Sequence, residues 1–464
     1  MQFRATAVLV WFALLPAAMA TGDEQPPADD PAEVSFAQEI APLLVRNCTA
    51  CHSASEAKGG FTLDTFQSFM KAGDSELPPV VAGNVDESYL VELLKEPDAD
   101  LRMPREADAL PEEKIALIRR WIEQGAKFDG PDPTAALASI IPKAPHPEPP
   151  DSYRVPVPVT ALAFHPSGGE LAVGGYHEIT LWNPANGSLR TRIKNLAQRT
   201  YGLAYSPDGS RLAAATGTPG QLGEVVLVDP ATGEVLRTLG TMADVALDVA
   251  FSPNGSLLAA CGADRSIRVY DVASWDEKLL IEDHADWVMA VAFNHDGSRI
   301  ASASRDKTSK VYAVDSGDSL ATYSEHGEPV YTVAFSEDGA QVFTAGGDNK
   351  IHVWNSEDAK KIADVGGFGG EVYALRLAAG QVFGCSADKT ARQFRAADRG
   401  HVRNFEGHHD YVYALAYHPA SGRLATGGFD GEVRVWNVED AAAVTSFFAA
   451  PGYRPPVAEQ ASAE

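Results

Sequence analysis

Two cysteines three apart, followed at once by a histidine, stand in the run RNCTACHSAS as Cys48, Cys51 and His52. Three chemistries use that spacing. A redox dithiol wants a strand before it in a βαβ setting, whereas a helical pattern leads into Cys48. A zinc site wants four ligands, and between positions 35 and 127 no other cysteine or histidine exists to complete one. Covalent haem attachment needs only what is present: two thiols to form thioethers with the porphyrin vinyl groups and an imidazole to bind iron from one face. The motif occurs once, so one covalent haem c per chain is expected, on Cys48 and Cys51 with His52 as an iron ligand.

The second axial ligand must come from further along. Met103, in DADLRMPREADALPEEK, stands just before the last helix of this region, and it is the expected distal ligand. Met70 competes, but with Leu63, Phe66 and Phe69 it reads as the apolar face of a short helix, a place more often given to core.

The elements that would hold these residues are helical. In SFAQEIAPLLVRNC, Ser35 and Gln38 fit an N-cap and N3 pair, and Phe36, Ile40 and Leu43 or Leu44 keep a helical period up to the cysteines, with Pro42 expected to bend it. In LPEEKIALIRRWIEQGAKF, Pro111 and two glutamates open a helix, Ile115, Ile118, Trp121 and Ile122 form its stripe, and Gly125 stops it.

Ahead of this region, residues 1–20 read as a secretory signal: Arg4, an apolar run over 5–15, and Ala18 and Ala20 at the places before a cleavage site. That run falls short of the ~20 residues a membrane span needs. Secretion into a periplasmic or equivalent extracytoplasmic compartment is expected, without a membrane span once the signal is removed. Residues 21–33 read as a flexible leader, 34–130 as the small all-α haem domain, and the proline-rich 131–158 as a linker. With 38 basic and 63 acidic residues the net charge is −25, a field that repels nucleic acid.

Beyond the linker the sequence repeats seven times over 159–450, leaving 451–464 as a flexible tail. The aligned residues Phe164, Tyr205, Phe251, Phe293, Phe335, Leu377 and Tyr417 lie 41, 46, 42, 42, 42 and 40 apart, the period of four-stranded propeller blades. Each copy ends on a step such as Trp182-Asn183, Tyr270-Asp271 or Trp436-Asn437, which resembles the dipeptide of WD repeats. Asp264, Asp306, Asp348, Asp388 and Asp430 fall in one turn of successive copies, and their recurrence argues for scaffold rather than catalysis. His326, Thr344, Asp348 and Trp354, and again His408, Thr426, Asp430 and Trp436, match the full polar network of a WD repeat. Cys261 and Cys385 fall at equivalent places of blades 3 and 6, too far apart round the ring to pair, so both are expected as free, buried thiols.

The order FAQEIAPLLVRNCTACH, KGGFTLDT, VVAGNVDESYLVELL and RMPREADALPEEKIALIRRWIEQGA resembles the planctomycete-type cytochrome c domain, which is often joined to WD repeats. In that family a second proline commonly follows the one after the methionine, where Arg105 stands here. The resemblance implies a multidomain chain: a small all-α c-type cytochrome domain, then an all-β seven-bladed WD-repeat propeller. It implies haem binding and electron transfer without a known substrate. The first reading is an electron carrier that meets a redox protein partner and uses its propeller for docking. The alternatives are a propeller-haem oxidoreductase with a second cofactor, and a haem sensor on a scaffold propeller. No metal spacing among the propeller histidines favours the enzyme, so no catalytic residues are assigned.

Overall fold

In the computed structural model, residues 33–53, 56–105, 107–141 and 145–455 are described. The expected signal, most of the leader and the end of the tail lie outside them. The chain divides into two units, Met1–Ala144 and Pro145–Glu464.

The first unit is built of helices. Phe36–Ile40 takes the wider π form and passes at Ala41 into the α-helix Ala41–Asn47, the register changing beside Pro42, which has no N–H to donate. Ser35 caps the start by accepting from the Gln38 N–H at 2.9 Å. The reciprocal bond, however, comes from Glu39, whose carboxylate accepts the Ser35 N–H at 3.0 Å, rather than from Gln38. Tyr89–Lys95 and Glu112–Glu123 follow, the latter burying Ile115, Ile118, Trp121 and Ile122 as its period requires. Trp121 is the hub: its ring lies 5.3 Å from Phe36 and 6.1 Å from Phe69, and its indole N–H donates to the Lys127 carbonyl at 2.9 Å. The start of the proline-rich stretch is fastened to this unit, since the Leu137 N–H donates to the Asp64 carbonyl and Leu137–Ile140 forms a turn of helix whose Leu137 and Ile140 are buried.

The second unit is a seven-bladed β-propeller of seven four-stranded antiparallel sheets, each made from four strands consecutive in sequence. The first strands are Leu162–Phe164, Arg199–Tyr205, Ala246–Phe251, Val288–Phe293, Val330–Phe335, Val372–Ala378 and Val412–His418. They touch their neighbours all round the ring and so surround the axis. All seven third strands end on the WD-like steps, from Ile179–Asn183 to Glu432–Asn437. The first hairpin of each blade turns on left-handed glycine. In blade 2 this is Gly209 at φ 75°, beside Asp208, whose carboxylate accepts from the Ser206 hydroxyl at 2.6 Å and the Ser210 N–H at 3.0 Å.

Cores lie between blades. Phe343 and Ile351 of blade 5, for example, pack on Val372, Leu375 and Phe394 of blade 6. Residues 145–158 are fastened to this unit: the His146 N–H donates to Asn195 Oδ1, and the Tyr153 hydroxyl donates to Glu178 Oε1 at 2.7 Å. The same carboxylate holds Arg192 at 2.6 Å. The Tyr153 N–H donates to the Pro451 carbonyl, which brings the two ends of the propeller sequence together. Cys261 and Cys385 are free and fully buried. No helix of the described residues is long and apolar enough to cross a membrane.

Candidate functional site

The helix Ala41–Asn47 ends at Cys48, whose N–H still donates to the Leu44 carbonyl at 2.9 Å. One further turn, Thr49–His52, starts from the Cys48 carbonyl, which accepts from Cys51 N–H at 3.2 Å and His52 N–H at 3.1 Å. Cys48, Cys51 and His52 therefore share a single turn of backbone. Neither thiol is in a disulfide. Cys48 packs against the helical core, and burial, with Cys51 adding to it, pushes its thiol up to about 11. The Cys51 sulfur lies 3.8 Å from the Lys58 ammonium.

His52 is held at both ends. Its carbonyl accepts from the Leu63 N–H at 2.7 Å. Its Nδ1 lies 3.3 Å from the Phe61 carbonyl, and the Phe61 ring meets the imidazole edge-on with centroids 5.3 Å apart. A proton on Nδ1 donated to that carbonyl leaves the lone pair on Nε2, the arrangement that prepares an imidazole to bind a metal. The spacing of the cysteines did not point to Phe61. The signal lay in the glycine pair ahead of it: Gly59 and Gly60 both turn left-handed, at φ 68° and 64°, and a side chain on Gly60 would strike Asp74.

Met103 donates its N–H to the Leu93 carbonyl at 3.0 Å and is half-buried against the core that also receives Cys48. Met70, at the end of Phe66–Phe69, packs on that core too. Next to Met103, Arg102 has a buried Nε without a partner among the described residues. Two soft thiols and a lone-pair imidazole on one turn are the donor types that fit haem c, and the Met103 thioether and the Arg102 Nε lie elsewhere in the same helical unit.

The recurrent aspartates of the propeller are scaffold members. In blade 5, His326 joins Asp348 at 2.7 Å and Thr344 at 2.8 Å, and the Trp354 indole donates to Thr344 at 3.2 Å. Blade 4 repeats this with His284, Asp306 and Ser302, a copy that its Tyr312 in the tryptophan place had concealed. Blade 5 adds His352, where blades 3, 6 and 7 have Arg268, Arg392 and Arg434, and its Nε2 lies 3.1 Å from Asp348. The His326 and His352 rings stack with centroids 3.9 Å apart and planes within 25°. Two stacked rings cannot both aim an in-plane lone pair at one ion, so this trio is a hydrogen-bonded network rather than a metal centre.

Blade 7 departs from the expected full network. His408 bonds Thr426 at 2.7 Å and Trp436 does so at 2.8 Å, but the buried His408 Nδ1 has no partner among the described residues, while Asp430 accepts the Glu432 N–H as Asp306 accepts that of Thr308. Burial first, then the charges of Arg434 and His409, lower the His408 value to about 3. The unfolded chain, titrating near 6.5, then binds the extra proton between these two values. Stability from this group is complete above pH 6.5 and falls by about 1.4 kcal/mol per unit as pH drops toward 3. Thermal melts of wild type and His408→Asn between pH 7 and 4.5 should show a shallower fall for the variant; parallel curves would contradict the assignment.

Residues 48–106 match the family model for planctomycete cytochrome C. The WD domain, G-beta repeat, matches at 233–271, 276–312, 317–355 and 399–437. Each of these repeats begins with the last strand of one blade and ends with the third strand of the next. A comparison with curated proteins finds no match.

Proposed function

We propose that this chain, with its planctomycete cytochrome C segment and its seven-bladed WD-repeat propeller, is an extracytoplasmic electron-transfer protein carrying one haem c. The observation that carries this reading is the single turn bearing Cys48, Cys51 and His52, with His52 Nδ1 set toward the Phe61 carbonyl. Cys48 and Cys51 would hold the group covalently, His52 and Met103 would ligate its iron, and Arg102 would offer a donor to one of its carboxylates. When bound, such a group would supply a one-electron couple. Holding Nδ1–H on a carbonyl fixes the ring and raises the basicity of Nε2. The propeller serves as the interaction module through which a redox protein partner docks.

The test is Met103→Ala. The charge-transfer band at the red edge of the oxidised spectrum should vanish, the midpoint potential should fall, and the reduced protein should gain carbon monoxide binding. A band unchanged by the substitution would pass the ligand role to Met70. Wild-type protein that already binds carbon monoxide would favour a sensor over a carrier.

A further inference from the structure

Three residues before the aligned position (Phe164, Tyr205, Phe251, Phe293, Phe335, Leu377, Tyr417), six blades carry Ala, Gly or Thr and blade 3 carries Asp248; one residue before it, six blades carry Ala and blade 6 carries Arg376. Both exceptions line the cavity on the propeller axis, a space of about 90 Å³ open to solvent. Blades 3 and 6 stand across the ring from one another, and the Arg376 charge reaches the Asp248 carboxyl across it. Asp248 Oδ2 accepts the Val291 N–H of the next blade at 3.1 Å, and its Oδ1 leans toward Gly202, where a Cβ would come within 2.9 Å of it. Arg376, an exposed residue, lines the cavity, and its guanidinium donates to the Leu375 carbonyl at 2.8 Å. The rings of Tyr331, Tyr373 and Tyr413 line the same cavity, successive centroids 5.8 and 4.5 Å apart.

Burial holds the Asp248 carboxyl up at about 6, and the Arg376 charge opposes that rise without forming an ion pair with it. Among the described residues neither group is in an ion pair, a costly condition that a ligand of matching layout would relieve. A simple anion would enter against the field of a chain with net charge −25, whereas a zwitterion brings both charges and no net one.

We propose that the axial cavity binds a free α-amino acid, its ammonium on Asp248, its carboxylate on Arg376 and its side chain against the tyrosine rings. Amino acids with aromatic side chains bind better than glycine, because only they cover those ring faces. This site is independent of the haem assignment.

Calorimetric titration of the full chain with L-phenylalanine, phenylacetate and phenethylamine tests it. Saturable binding of phenylalanine is expected, at least tenfold tighter than either compound lacking one charge. Two variants keep the fold: Arg376→Ala gives blade 6 the residue of the other six blades, and Asp248→Thr copies Thr332, whose hydroxyl accepts the Leu375 N–H just as Asp248 accepts that of Val291. Arg376→Ala should erase the preference over phenethylamine, and Asp248→Thr the preference over phenylacetate. No saturable heat from wild type, or variants that bind phenylalanine like wild type, would overturn the proposal.

Discussion

Replacing Cys48 and Cys51 together by alanine should leave a protein with no covalently held haem. Each cysteine supplies one thioether, and the two lie on one turn with His52, so the doubly substituted chain retains an imidazole but no bond that survives denaturation. Haem staining on a denaturing gel, and extraction with acid and organic solvent, should both report complete loss, while either single variant keeps one thioether and remains stained. The propeller forms its sheets from residues beyond 158, so its circular dichroism should persist and separate loss of haem from loss of fold. Stain that remains in the double variant would place the attachment elsewhere and defeat the proposed function.

Trp121→Ala should cost the helical unit roughly 3–5 kcal/mol, a large share of the 5–15 kcal/mol that holds a domain together. Trp121 is almost fully buried, touches Phe36, Phe66 and Phe69, and satisfies the Lys127 carbonyl. Removing it opens a cavity that rigid neighbouring rings cannot fill and orphans a carbonyl. Trp121→Phe keeps much of the packing and should cost less than half as much. Urea melts followed by helical ellipticity measure both, and equal midpoints for the alanine variant and wild type would mean that Trp121 does not anchor this core. A covalently attached haem survives such unfolding, so the stability effect can be read apart from cofactor loss.

The blades were legible because their signals repeat. One turn aspartate or one aromatic step is weak alone, but the same offsets recurring at 40–46 residues fix strands, turns and blade number together. What stayed hidden depends on contacts across sequence. Blade 4 has Tyr312 where Trp is expected, so its His284, Asp306 and Ser302 network emerges only when the side chains are in place. Blade 7 spells the full set, yet His408 Nδ1 meets no partner among the described residues, although Asp430 accepts the Glu432 N–H just as Asp306 accepts that of Thr308; residue identity alone does not say whether the carboxylate also reaches the imidazole. In the helical unit the cysteine motif was plain from spacing. The Phe61 carbonyl that orients His52 was not, because a backbone acceptor has no residue type to read.

Every blade is a continuous stretch of chain, so no strand is shared between the last blade and the first. Closure there rests on packing, with Trp182 stacked on Phe447 at 4.3 Å, and on main-chain bonds from Val159 N–H to Gly428 and from Tyr153 N–H to Pro451. The ring is thus topologically a ribbon bent until its ends meet, and a circular permutant opened in any connection between blades would keep all seven sheets whole. Such permutants should differ little in fold, whereas a cut inside a blade would leave a sheet to be reassembled from the two ends of the chain. A lineage could also gain or lose one whole blade by in-frame duplication or deletion without leaving an orphan strand behind.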